Sequence, residues 1–214
     1  MRRGPRLPVE ELAPYLFEIP SEPFGTCGQL DWRQVFGNAN PVEVEVGFGK
    51  GLFLVNAGQG RPATNFFGIE IERKYALFTA TRLAKRGLRN VRVAAADARL
   101  LLDGFVAPGS VAALHIYFPD PWWKNRHRKR KLFTEPFAAA CIRALSGGGH
   151  LHFVSDVQEY FAATADMLAR LEALTSLPPP QVKDPLHDMD FLTNFERKYR
   201  RHGRPIYRGL WRKE

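Results

Sequence analysis

The segment at residues 42–52 constrains the fold of this chain more than any other. Val42-Glu43-Val44-Glu45-Val46 is a short β-branched run, and Gly47-Phe48-Gly49-Lys50-Gly51 follows it at once. A strand that enters a glycine-rich turn and then a helix start opens an alternation of strands and helices. The downstream sequence continues it. Asn65–Glu70 reads as a second strand, and Arg73–Arg86 has helical apolar spacing up to a stop at Gly87. Val91–Ala96 is a third strand ending in Asp97, and Val111–Phe118 a fourth ending in Pro119-Asp120-Pro121. Phe133–Leu145 is a helix with Pro136 near its first turn, closed by Gly148 and Gly149, and His150–Ser155 is a fifth strand. Gln158–Leu174 reads as one long amphipathic helix, with Phe161, Ala165, Leu168 and Leu171 on one face. Pro178-Pro179-Pro180 breaks the chain, and residues 191–212 read as two more strands, a hairpin around His202-Gly203-Arg204. Residues 1–40 read as an irregular lead-in and 41–214 as the working domain.

Such an alternation predicts an α/β, Rossmann-like fold: a mostly parallel, seven-stranded sheet with helices on both faces and a C-terminal antiparallel hairpin. Ligands of open α/β sheets sit outside the carboxyl ends of the strands. Glu45, Glu70, Asp97 and Asp120 all lie there, and Asp156 follows the fifth strand. A carboxylate in that position can also cap the next helix, and Asp156 is the one expected to do only that.

Glycines Gly47, Gly49 and Gly51 imply a ligand close to the backbone. A dinucleotide, with Glu70 on a ribose, is the first candidate. Two residues oppose it: Leu52 stands where the dinucleotide fingerprint has its third glycine, and Glu45 would repel a pyrophosphate. S-adenosylmethionine carries a sulfonium, an ammonium and two ribose hydroxyls, and no phosphate. Glu45 suits its methionine end, Glu70 its ribose and Asp97 its adenine amino group.

The charge pattern adds a partner. The chain carries 31 Lys and Arg against 22 Asp and Glu. Seventeen of the 31 fall in three strips without an acid, at residues 1–6, 124–131 and 197–213. The remainder has 14 basic against 22 acidic residues, so an acidic body carries basic strips that suit a polyanion. With 45% hydrophobic and 25% charged residues the composition is that of a folded chain. No apolar run approaches the roughly 18 residues of a membrane span, and no secretory signal is read behind Met1-Arg2-Arg3. Cys27 and Cys141 lie far apart without metal-ligand spacing, which fits a reducing cytoplasm and no metal site.

Residues 117–131, Tyr-Phe-Pro-Asp-Pro-Trp-Trp-Lys-Asn-Arg-His-Arg-Lys-Arg-Lys, strongly resemble the signature of bacterial tRNA (guanine-N7-)-methyltransferases. Thr193-Asn194-Phe195-Glu196 is similar to their C-terminal Thr-x-Phe-Glu motif, and Glu45–Gly51 and Gly68-Ile69-Glu70 also match. The likeness spans roughly residues 42–212. It implies a class I methyltransferase fold and methylation of N7 of a variable-loop guanine in tRNA from S-adenosylmethionine. By position it implies that Glu45, Glu70, Asp97 and Asp120 hold the cofactor and that Asp120 is also catalytic. Lys124, Asp156, Thr193, Asn194, Phe195 and Glu196 are implied as substrate contacts, and Arg126, His127, Arg128, Lys129, Arg130 and Lys131 as the RNA-binding run. Trp123 departs from the family, as does the segment before the first strand.

N7 of guanine is an unprotonated lone pair, so no general base is needed. His115, His150 and His152 therefore read as core or surface residues. Trp122 either stacks on an extruded base or packs under its turn. Glu196 either meets the base edge or orients arginines. Methylation of another RNA or a protein, and a catalytically silent RNA-binding protein on the same fold, are the competing functions.

Overall fold

The computed structural model describes residues 7–19, 29–121, 131–179 and 193–214. Eight strands lie among them: Leu16–Phe17 (β1), Val42–Val46 (β2), Asn65–Glu70 (β3), Val91–Ala95 (β4), Val111–Tyr117 (β5), Leu145–Ser155 (β6), Leu174–Leu177 (β7) and Tyr207–Lys213 (β8). The helices are Val9–Leu12 (α1), Trp32–Phe36 (α2), Leu52–Gly60 (α3), Arg73–Ala84 (α4), Ala98–Gly104 (α5), Glu135–Ala144 (α6), Gln158–Ala169 (α7) and Asn194–Arg201 (α8). All strands join one sheet in the order β1-β4-β3-β2-β5-β6-β8-β7. The first six in this order pair in parallel, and β8 runs antiparallel to both its neighbours.

The chain winds outward from β2 through β3 to β4, then returns to lay β5 on the other side of β2. The strand order therefore reverses between β2 and β5, where a crevice opens at the carboxyl ends of the strands. Strand alternation sends Val42, Val44 and Val46 to one face, where they join Ile69, Leu114, Ile116, Leu151 and Phe153. The other face packs Phe53, Leu54, Phe66, Ala76, Leu83, Val91 and Val93. Glu43 and Glu45 project on that second side, and Phe53 of α3 lies 4.6 Å from His115, the cross-strand neighbour of Glu45.

Several expectations change. The sheet has eight strands rather than seven, because β1 of the lead-in pairs onto its edge, and Gly148 and Gly149, expected to close α6, lie inside β6. The helix expected over 158–174 stops at Ala169, and Leu174–Leu177 is a strand instead. Arg170 to Ala173 form the turn, with Leu174 N–H donating to the Leu171 carbonyl at 2.9 Å. Residues 191–212 are not two strands: α8 occupies Asn194–Arg201, and only Tyr207–Lys213 is a strand. Thr193 Oγ1 accepts from Glu196 N at 3.0 Å, a helix N-cap written as Thr-x-x-Glu. Gly203, at φ 62°, then stops this helix: Arg204 N bonds Tyr199 O at 3.0 Å and Gly203 N bonds Arg200 O at 3.2 Å. The antiparallel pair at the C-terminus is thus β7 with β8. Finally, the described part of the lead-in is not irregular throughout. It holds α1, β1 and α2, with Leu12, Tyr15, Leu16 and Trp32 buried, and Trp32 Nε1 donates to Ser110 Oγ at 3.1 Å.

Candidate active site

Glu45, on the last turn of pleat before the glycine segment, is 2% exposed. Its Oε2 accepts no hydrogen bond from any described residue. Burial, with the Glu70 carboxylate nearby, pushes its pKa well above the ordinary value. A lone carboxylate in a buried position destabilises a fold unless something meets it there.

The turn that follows is shaped to admit a ligand. Gly47 and Gly49 have φ of 75° and 51°, and nothing lies within 4 Å of where a Cβ would stand on either. Gly51 is required for a different reason, because a Cβ there would sit 2.3 Å from Thr79 of α4. Glu70, at the end of β3, braces the loop: its Oε2 accepts from Gly49 N at 2.9 Å and its Oε1 from Glu72 N at 3.2 Å. The two acids and the turn therefore form one unit at the switch point.

As helix caps, Asp97 and Asp156 differ: the one expected only to cap does not, and the other does. Asp97 caps α5, accepting from Arg99 N at 2.9 Å and from Arg99 Nε at 3.0 Å. The Arg99 hydrogen bond holds its carboxyl below the usual range. Asp156 caps nothing: α7 has Val157 at its N-cap, and the Ser155 hydroxyl takes the Val157 N–H at 3.1 Å. Asp156 instead hydrogen-bonds Tyr199 of α8, whose hydroxyl pKa rises through burial and then through this carboxylate.

Asp120 is exposed in the loop after β5. Just before it, Phe118 takes φ 52°, a left-handed conformation that costs about 1–3 kcal/mol in a residue with a side chain. Its ring packs against Phe195 at 6.1 Å and Tyr199 at 5.7 Å, both on α8. The negative charge of Asp120 is felt at Tyr199 as well. Phe195 is 50% exposed, whereas Glu196 is wholly buried. Glu196 Oε1 accepts from Arg208 at 2.6 Å and lies 3.9 Å from an Arg200 nitrogen. Asn194 Oδ1 accepts from Arg197 at 3.3 Å. Helix α8 thus carries Thr193–Glu196 over the end of β5, where Tyr117 senses both Glu45 and Glu196.

Trp122, Trp123, Lys124 and the run Arg126-His127-Arg128-Lys129-Arg130 lie outside the described residues. Lys131, the end of that run, places Nζ 5.0 Å from the Tyr160 ring centroid. His115, His150 and His152 belong to the body of the sheet. His115 is buried, with Nε2 2.8 Å from Glu43 Oε2 and Nδ1 2.7 Å from the Tyr117 hydroxyl. His152 stacks on it at 4.7 Å, and burial drops its pKa to about 3.

A family model described as a putative methyltransferase matches residues 39–209. A tRNA (guanine-N(7)-)-methyltransferase of Rhodopirellula baltica is 45% identical over 190 residues, covering 86% of this chain and 70% of that protein. One from Myxococcus xanthus is 37% identical over 180 residues, covering 83% and 86%. The chain belongs to the tRNA (guanine-N(7)-)-methyltransferase family. Solved structures agree with this family's fold at lower identity. The aminoglycoside resistance methyltransferase NpmB1 matches with a TM-score of 0.60 at 16% identity, over 86% of this chain and 92% of that one. A SAM-dependent methyltransferase from Aquifex aeolicus matches at 0.56 and 11% identity, over 85% and 87%. The architecture is therefore that of the class I S-adenosylmethionine-dependent methyltransferases, which this tRNA (guanine-N(7)-)-methyltransferase family member shares.

The sequence assigns no individual role to Tyr117 and Phe118, which stand in the signature, to Arg208, which stands in a basic strip, or to Tyr199. The Thr193-to-Glu196 capping signature was the available signal: read as a helix start, it sets Phe195, Tyr199 and Arg200 on neighbouring turns of one element.

Proposed function

We propose that this family member transfers a methyl group from S-adenosylmethionine to N7 of a guanine in the variable loop of tRNA, in the cytoplasm. The observation that carries the reading is Glu45, a buried carboxylate with an unpartnered oxygen beside an open glycine turn. Such a group is the charge complement of an ammonium-bearing cofactor and repels a pyrophosphate. Bound S-adenosylmethionine supplies the methyl group on a sulfonium. Glu45 would hold the methionine end, directly or through a water. The Gly47–Gly51 backbone would lie along it. Glu70 retains lone pairs for ribose hydroxyls while its oxygens brace Gly49 and Glu72. Asp97 would accept from the adenine amino group, its orientation fixed by Arg99.

The protein's part in the reaction is positioning and electrostatics, since N7 arrives as a free lone pair. Asp120 stands where positive charge accumulates on the purine as the methyl group arrives, and a fixed carboxylate there favours the transition state. The same oxygens can accept from the guanine N1–H and amino group, which adenine does not present. The half-exposed ring of Phe195, backed by Phe118 and Tyr199, offers a stacking ledge for the extruded base. Asp156 acts through Tyr199. Thr193 and Glu196 act by building α8 and orienting arginines, with Asn194 beside Arg197. Lys124 and Arg126–Lys131, His127 among them, would neutralise phosphates. About six such contacts give log K against log salt a slope near −5.

The deciding experiment incubates the protein with methyl-labelled S-adenosylmethionine and unmodified tRNA and maps the label. Label at a variable-loop guanine N7 is expected. Label on another atom, or on protein, overturns the reading, and cofactor binding without any transfer would favour a silent RNA-binding relative. Replacing Asp120 with Asn should lower kcat about 100-fold or more, with protein stability unchanged.

A further inference from the structure

Beyond the residues of the motifs, Arg200, Arg204, Ile206 and Arg208 line an open basic hollow of about 280 Å³ formed by α8, β8 and the segment between them. It is built by the turn at His202–Gly203, which folds the chain back so that side chains from the last turn of α8 and the first residues of β8 face one another. Arg200, Arg204 and Arg208 line it together, and the buried Glu196 contacts Arg200 and Arg208. Glu196 does not saturate Arg208. Arg208 gives one amino group to Glu196 at 2.6 Å and the other to the Ile206 carbonyl at 3.4 Å, yet its Nε is buried without a hydrogen-bond partner among the described residues. A buried guanidinium N–H left open beside a cationic hollow is the counterpart of an oxyanion. The carboxylate of Glu196 fixes the fork, so little side-chain freedom remains to be lost when an anion binds.

Position says which anion. Arg204 lies 5.6 Å above the centroid of the Tyr199 ring. The hydroxyl of that same tyrosine bonds Asp156 and feels Asp120, and its ring packs on Phe118 and Phe195. The basic hollow and the loop of the candidate catalytic acid thus approach one side chain: Arg204 lies over the Tyr199 ring, and Phe118, two residues before Asp120, packs against it. We infer that the Arg200–Arg204–Arg208 hollow is a phosphodiester subsite that grips the RNA backbone beside the nucleotide whose base is methylated. This rests on the reading of the protein as an RNA methyltransferase and adds the anchor that would hold the backbone while the base is drawn towards Asp120. Glu196 is a positioning residue in this arrangement, setting the arginine fork.

The test uses the full chain and leaves Arg208 in place, since removing it would strand the buried Glu196. Arg204→Gln is the working variant, Arg204→Lys the conservative one, and Arg33→Gln, on the exposed side of α2, the control for a generic loss of charge. Binding of unmodified tRNA is read by fluorescence anisotropy across a salt series, alongside KM and kcat for methyl transfer and S-adenosylmethionine binding by calorimetry. Arg204→Gln should weaken tRNA binding and raise KM about 10-fold, and flatten the salt slope by about 1, with kcat and cofactor affinity within twofold of the parent. Arg204→Lys should restore the slope but only part of the affinity, because an ammonium replaces the fork. Arg33→Gln should change none of these. Unchanged binding and slope in Arg204→Gln overturn the subsite, as does an equal loss in Arg33→Gln. A fall in cofactor affinity would assign the hollow to the cofactor and also overturn it. Inorganic phosphate at constant ionic strength should not displace tRNA; displacement at millimolar phosphate would identify a free-anion site instead. If the parent protein binds tRNA with the expected arginine dependence but methylates no guanine N7, the functional reading fails while the subsite stands.

Discussion

Glu43 and Glu45 are the same residue type, two positions apart on the same strand, pointing to the same side of the sheet, and they meet opposite fates. Glu43 is fully engaged. It accepts from Arg61 at 2.6 Å and from His115 at 2.8 Å, and that histidine in turn meets Tyr117. Burial alone would raise its pKa, but the His115 and Arg61 interactions outweigh burial and hold it low. His115 stays neutral because burial outweighs the pull of Glu43. Its Nε2 therefore carries the proton donated to Glu43, and its Nδ1 accepts from Tyr117. Glu45 has the burial without the partners, and its pKa goes the other way. One carboxylate is part of the scaffold. The other is kept unsatisfied at a crevice, at a cost to the fold that a cationic ligand can relieve.

The sharpest way to break this contrast is Glu45→Gln. It should weaken S-adenosylmethionine binding about 100-fold by calorimetry while raising the urea midpoint of the ligand-free protein. Loss of affinity together with loss of stability would mean that Glu45 is structural after all. Glu43→Gln should do the reverse: a stability loss of about 1–3 kcal/mol by urea unfolding, with cofactor affinity within twofold. The two acids should also separate by pH. Folded Glu45 binds protons more tightly than the unfolded chain, so its contribution falls as pH rises from 4.5 towards its raised value. Glu43 contributes fully above 4.5, and that contribution is lost as pH falls through its lowered value. Urea midpoints across pH should therefore lose their decline on the alkaline side in Glu45→Gln and their decline on the acid side in Glu43→Gln. Least of all, Tyr117→Phe removes one hydrogen bond to His115 and should cost about 1 kcal/mol, leaving the cofactor affinity of the intact Glu45 unchanged.

The valine–glutamate alternation of β2 made the strand legible, and the glycines fixed the turn after it, because only backbone chemistry was needed to read them. The fate of each glutamate was not legible. It depends on Arg61, His115 and Tyr117, which come from α3's far end and from a strand some 70 residues on, and one-dimensional spacing says nothing of that meeting. Asp97 and Asp156 show the same limit. Both follow a strand and precede a helix, yet only Asp97 caps one: the N-cap of α7 is Val157, and Asp156 turns to Tyr199 instead. The C-terminal segment failed for another reason. Arg-Lys-Tyr-Arg-Arg lacks an apolar stripe, so periodicity is silent, and the cap at Thr193 was the remaining mark of a helix. The charge strip at 197–213 was visible as composition, but its division between α8 and β8, with Glu196 buried between them, is a product of that fold.

Strand β8 lies between β6 and β7 although it is made after both. As the polypeptide emerges during synthesis, β7 has no neighbour to pair with until residues 207–213 arrive, so an unfinished chain exposes two unsatisfied strand edges that invite association with other chains. The same late strand delivers Arg208 to Glu196. Completion of the sheet and completion of the basic hollow are one event, so a nascent chain lacking β8 lacks the hollow as well.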